Sequence, residues 1–152
     1  MPYVFDKVID AQVVAGIDTN AYTANDVVGG LLTFNVTSPS NVGVINKLVI
    51  ADDDNEKAAG SLFLFNAAPT SIANNAAGNL AIADLKKIVS VIAVAANDYV
   101  TINGNAYAVI GDINDVYKAD GKGCLYGYFI CSGTPTYTAA TDLTLTLSVL
   151  TS

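Results

Sequence analysis

The most regular pattern lies near the C-terminus, where Leu143, Leu145, Leu147 and Val149 alternate with Thr144, Thr146 and Ser148. A repeat of two sends successive side chains to opposite faces, so this run predicts a half-buried β-strand with its threonines outward. Leu150 breaks the alternation. From Gly123 to Ser132 the chain reads Cys-Leu-Tyr-Gly-Tyr-Phe-Ile-Cys between its end residues, apolar or aromatic on both faces. Such a strand belongs in the middle of a sheet, covered on two sides or with one face in a subunit contact. Gly133-Thr134-Pro135-Thr136-Tyr137 supplies the turn between these two strands.

Shorter runs of the same character occur at Val8–Val14, Leu31–Val36, Val44–Ile50, Ser61–Phe65, Ile88–Val94, Tyr99–Ile102 and Ala106–Ile110. Each is rich in β-branched or aromatic residues and bounded by Gly, Asn, Asp, Ser or Pro. Asn103-Gly104-Asn105 predicts a hairpin turn, because Asn and Gly tolerate positive φ. Gly29-Gly30, in a strand-like run, predicts a bulge or a close backbone approach. Asn114 to Gly121 is polar and predicts irregular chain. One segment favours helix: Leu80 to Lys87 holds strong helix formers, with Ala81, Leu85 and Ile88 on one face and Asn79 as a cap.

About eight or nine strands with turn-rich connections predict an all-β fold, an antiparallel β-sandwich, with jelly-roll connectivity as one arrangement in that class. One short helix near residues 80–87 interrupts it. No repeat or shift in composition marks a second domain, so residues 1–152 read as a single domain with an N-terminal arm at 1–7. The 152 residues are 52% hydrophobic and 14% charged, enough to bury a core without metal or disulfide staples.

Charge narrows the chemistry. Seven lysines stand against fourteen acidic residues for a net charge of −7, and there is no Arg, His or Trp. Imidazole-dependent catalysis, Cys/His zinc sites and bidentate phosphate recognition are thereby removed. An acidic surface with one adjacent lysine pair, Lys86-Lys87, argues against nucleic acid and against anionic membranes as partners. The N-terminus does not read as a secretory signal, and Ile88–Ala96 is too short to span a bilayer, so synthesis and folding in a cytoplasm are expected. Cys124 and Cys131 lie seven residues apart on one strand, pointing to opposite faces, and are expected to be free thiols.

Several motifs fail their templates. Asp52-Asp53-Asp54-Asn55-Glu56-Lys57 could wrap a hard cation, but Lys57 and Phe63 stand where an EF-hand needs Gly and Glu, so it reads as a solvated loop. Gly121-Lys122-Gly123 lacks the Ser or Thr and the upstream Gly of a phosphate loop and reads as a turn. Glu56 is the sole glutamate, and no carboxylate pair stands out on an apolar background, so no catalytic residue, metal site or cofactor is assigned and the protein is expected not to be an enzyme. Among eight tyrosines, Tyr126 and Tyr128 share a face. Tyr3 with Phe5, on the N-terminal arm, are the candidate partner contacts, since two aromatics on a short arm are costly to leave in water.

Two stretches carry a resemblance. Lys47-Leu48-Val49-Ile50-Ala51-Asp52-Asp53-Asp54 leads into Leu62-Phe63-Leu64-Phe65-Asn66-Ala67-Ala68-Pro69-Thr70, and Leu125-Tyr126-Gly127 runs on through Thr134-Pro135-Thr136-Tyr137-Thr138-Ala139-Ala140-Thr141-Asp142-Leu143. They resemble small head proteins of tailed bacteriophages, of the capsid decoration or cement kind, over Tyr22 to Val149. The resemblance implies a virion structural protein on the outer capsid surface, synthesised in the host cytoplasm. It would bind the major capsid protein, stabilise joints between capsid subunits, and act as a dimer or trimer. It brings no motif of functional residues. Two further readings stand beside it: another virion module (tail, fibre or baseplate), and a carbohydrate-binding β-sandwich marked by exposed coplanar tyrosines and Asp-lined calcium.

Overall fold

The alternating leucines of the C-terminal run lie in a strand that continues to Thr151, two residues past Val149. Leu143, Leu145, Leu147 and Val149 are all buried, and so is Thr151, whose hydroxyl donates to the Val42 carbonyl at 2.9 Å. Leu150 therefore keeps the period; a satisfied hydroxyl takes the next inward position. The computed structural model describes residues 5–152. Its strands are β1 (Lys7–Val14), β2 (Val27–Asn35), β3 (Val42–Asp52), β4 (Gly60–Phe65), β5 (Ile88–Val94), β6 (Tyr99–Ile102), β7 (Asn105–Ile110), β8 (Asp115–Lys118), β9 (Cys124–Cys131) and β10 (Leu143–Thr151).

All strand pairs are antiparallel. The larger sheet has the order β1-β10-β3-β7-β6, with β8 also on β3, and the smaller sheet has the order β2-β9-β4-β5. The fold is an all-β sandwich. With β6, β7 and β8 counted as one position beside β3, this interleaving is that of a jelly roll.

The core lies between the sheets. Leu48, Ile50, Leu145 and Leu147 meet Leu32, Phe34, Leu62, Leu64, Leu125 and Phe129, each at most 1% exposed. Bulges correct the phase of the pattern where period two would fail. Ser148 pairs with Lys47 and Val149 with Ile45, so Asn46 is the extra residue, and Ile45 and Leu48 both point inward although three apart. On β2 the register shifts between Val28 and Leu32, at the glycine pair expected to bulge. Gly29 and Gly30 have φ of 86° and 66°, and a Cβ on Gly29 would lie 2.8 Å from the Ala15 Cβ. The predicted 103–105 hairpin joins β6 to β7, with Asn103 and Gly104 both at positive φ.

β9 is central, as its two apolar faces require. Its outer side is covered by the chain itself: Tyr128, Phe65 and Val27 form a second buried cluster under Ile72 and Leu80 of the 66–87 connection. The Tyr128 hydroxyl fastens that cover, donating to the Thr70 carbonyl at 2.9 Å and accepting from the Ile72 N–H at 3.0 Å.

The short helix expected near 80–87 is present, as the single turn α1 (Ile82–Leu85), with Ala81 rather than Asn79 at its N-cap and no side-chain cap. Its orientation is set by Asp84, which is buried, accepts the Thr70 N–H at 2.9 Å and pairs with the Lys87 ammonium at 2.8 Å, while Ile82 and Leu85 face water. The polar 114–121 stretch contains β8, where the buried Tyr117 is the one large apolar side chain turned inward. Both cysteines are free, Cys131 buried and Cys124 half-buried.

Candidate interaction surface

The 66–87 connection covers the middle of the smaller sheet's outer face, whereas among the described residues no connection covers the outer face of the larger sheet, where cross-strand register assembles side chains into rows. Val8 pairs with Leu150, Leu150 with Val44, and Val44 with Val116, giving an unbroken apolar row across four strands. Val8 is 60% and Val116 68% exposed. Further along, Val14, Thr144, Ala51, Tyr107 and Val100 form a second row, flanked by Val49 and Val109. Tyr107, Val109, Val100 and Ile102 are exposed. Between these rows runs a polar band, Asp10, Ser148 and Lys47, in which the Ser148 hydroxyl donates to Asp10. Scattered exposed apolar residues are ordinary, but rows of them on one flat face mark a contact surface.

Sequence reasoning missed this face because each strand carries only one to three of these residues. Leu150 and Val44 look like ordinary strand members until register sets them between Val8 and Val116. Of the candidate partner contacts, Phe5 is 38% exposed and lies three residues before Val8 in the chain, whereas Tyr3 falls outside the described residues.

The acidic loop after β3 is solvated at Asp53 and Glu56, which are exposed, but it is also stapled from both ends. Asp52 is 1% exposed and its carboxylate accepts the N–H groups of Asp54 at 3.0 Å and Lys57 at 2.9 Å. Burial raises its pKa, against the lowering effect of those bonds. Asp54 accepts the Thr138 N–H and hydroxyl, and Glu56 the Thr136 N–H at 2.9 Å, tying the loop to the connection before β10. The Thr138 N–H holds the Asp54 pKa below its usual value. Among the described residues, no three Cys, Asp or Glu side chains converge as a metal-holding group.

Most tyrosines serve the interior. Tyr22, Tyr99, Tyr117, Tyr128 and Tyr137 are buried, with Tyr22 and Tyr137 edge to face at 6.2 Å. Tyr126 is half-buried and donates to Asp120 at 2.6 Å, which pushes its pKa up to about 12. No coplanar pair of exposed tyrosines exists among the described residues, since Tyr107 alone of them stands clear of the surface. Two open depressions of about 230 and 210 Å³ lie at Glu56–Ala59 with Gly133–Pro135 and at Gly60–Phe63 with Ile130–Ser132. Both are smaller than sites that enclose small ligands, roughly 300–1,000 Å³. No helix of the described residues is long and apolar enough to cross a membrane. Comparison with protein-family models, curated proteins and solved structures gives no match.

Proposed function

We propose that the protein is a virion structural component, a decoration (cement) protein that binds the outer surface of a tailed-phage head and stabilises contacts between major capsid subunits. The observation that carries a docking role is the outer face of the larger sheet, with two apolar rows on either side of a polar band. Four strand positions of about eight residues and the four-residue β6, at about 4.8 Å between strands and 3.4 Å per residue, give a footprint of roughly 600 Å². Matched by a partner, that buries about 1,200 Å² in total, at the lower end of specific interfaces. The sequence resemblance supplies the identity of the partner as the major capsid protein. Net charge of −7 without arginine suits the outside of a DNA-filled shell better than its interior. Jelly rolls recur in viral capsid and lectin domains, which is support by analogy of fold. The protein acts by binding, with no reaction step and no cofactor.

The test adds purified protein to phage heads that lack it, taken from the phage that carries the gene, and follows sedimentation and cryo-electron microscopy. Ordered density on the outer shell, a higher temperature of head disruption, and loss of both in Val116→Glu support the reading. Binding to tails alone, calcium-dependent glycan binding, or turnover abolished by an Asp→Asn change would each overturn it.

A further inference from the structure

Sheet edges are where strands add to strands, and this sandwich protects its edges unequally. β1 carries Lys7 and Asp10, β2 is broken by the Gly29-Gly30 bulge, and β6 and β8 have four residues each. Charges, bulges and brevity are the usual means of blocking edge pairing. β5 has seven residues, Ile-Val-Ser-Val-Ile-Ala-Val, without charge or proline. It pairs with β4 on one side, and among the described residues no strand pairs with the other. Its one irregularity sits at the end. Leu64 pairs with Ser90 and Phe65 with Ile88, so Val89 is the extra residue, while Ser90 to Val94 pair regularly with Leu64 to Gly60. Ile92 is the midpoint of that regular stretch. Val91, 49% exposed, and Ala93 face outward, while Ser90, Ile92 and Val94 are buried.

We propose that β5 is a docking edge for a second copy of this chain, paired antiparallel about a two-fold axis at Ile92. In this register Ser90 lies opposite Val94 of the second copy and Val91 opposite Ala93, so inward residues meet inward and outward meet outward. No like charges face one another, because the strand has none. The ends favour a second copy over an unrelated strand. Beyond the strand, Lys86, the C-cap of α1, precedes Ile92 by six residues, and Asp98, in the single 3-10 turn Ala96–Asp98 where one carboxylate oxygen accepts the Ala95 N–H at 2.8 Å, follows it by six; both are exposed. Antiparallel pairing brings the Lys86 end of each strand to the Asp98 end of the other, twice per dimer. Lys87 is already engaged by Asp84.

Sedimentation equilibrium of the full chain between about 1 μM and 1 mM tests the proposal. The wild type is expected to dimerise in this range. Lys86→Glu should raise the dissociation constant at least tenfold, and Asp98→Asn, which removes the charge while its side-chain oxygen can still accept the Ala95 N–H, should raise it severalfold. Lys7→Glu, which makes the same change in net charge as Lys86→Glu but on β1, should leave it within about twofold. Amides of Ser90 to Val94 should exchange more slowly as concentration rises. A wild type monomeric at 1 mM, a dimer indifferent to Lys86→Glu, or one weakened equally by Lys7→Glu would overturn it. So would an Asp98→Asn variant that dimerises as tightly as the wild type, since Lys86 and Asp98 would then not face each other.

Discussion

Asn74 belongs to no strand, yet it ties three parts of the molecule together. Its Oδ1 accepts the Tyr22 hydroxyl and the Gly29 N–H, each at 2.8 Å, and its Nδ2 donates to the Gly16 carbonyl at 2.9 Å. Asn74→Ala removes all three bonds at unequal cost. Gly16 is exposed, so its carbonyl turns to water at little cost. Tyr22 is fully buried and Gly29 half-buried, and each lost partner there costs about 1–1.5 kcal/mol. The expected loss is about 2–3 kcal/mol. With roughly 2.1 cal/mol/K of unfolding entropy per residue over 152 residues, the melting temperature should fall by about 6–9 °C. Scanning calorimetry and urea unfolding measure it, and a cycle with Tyr22→Phe isolates the shared bond. The coupling should be about 1 kcal/mol, with the double variant less destabilised than the sum of the singles. Additivity within about 0.3 kcal/mol would show that the Tyr22–Asn74 bond carries no net energy and refute the reasoning.

Three further outcomes follow from local geometry. Gly29→Ala should destabilise by at least about 1–3 kcal/mol in urea unfolding, because a side chain there must accept positive φ and a contact 2.8 Å from the Ala15 Cβ. Val116→Glu, at a 68% exposed site, should leave stability within about 0.5 kcal/mol in the same assay while abolishing head binding. Asp84 is held down to about 2 by the Lys87 ammonium, below the ordinary 3.8. A depressed carboxylate stabilises the fold above its unfolded pKa and loses that contribution as pH falls through the folded one. Denaturation midpoints should therefore drop between about pH 4 and pH 2, and Asp84→Asn should flatten that part of the curve.

The strands were legible where one face alternates cleanly. Leu143–Val149 is such a case, and Ile88–Val94 and Tyr99–Ile102 match their observed bounds. β8 was hidden because four residues with one inward tyrosine leave no period to detect. The short helix near 80–87 was legible from local propensity, but its single-turn extent and its orientation were not, since Asp84 turns inward to the Thr70 N–H and Lys87. In the acidic loop, composition reads as solvated, whereas the Asp52 and Asp54 carboxylates are spent on backbone N–H groups. The interaction face was invisible because it is a property of register: Val8, Leu150, Val44 and Val116 are neighbours only once the sheet exists.

Pairing through β5 bears directly on how the outer face of the larger sheet would bind. Strand addition about an axis normal to the smaller sheet keeps both protomers the same way up, so the two large-sheet faces point in one direction. A dimer of this kind presents two apolar faces to one side, while face-to-face stacking would bury them against each other. A repeating shell offers two sites at a fixed distance, and engagement of the first raises the effective concentration of the second, adding up to about 10²–10⁴ in avidity without any new contact. Lys86→Glu, which leaves the face intact, should then weaken attachment to heads by more than it weakens binding to an isolated capsid subunit. Equal losses on both targets would mean that each protomer attaches singly.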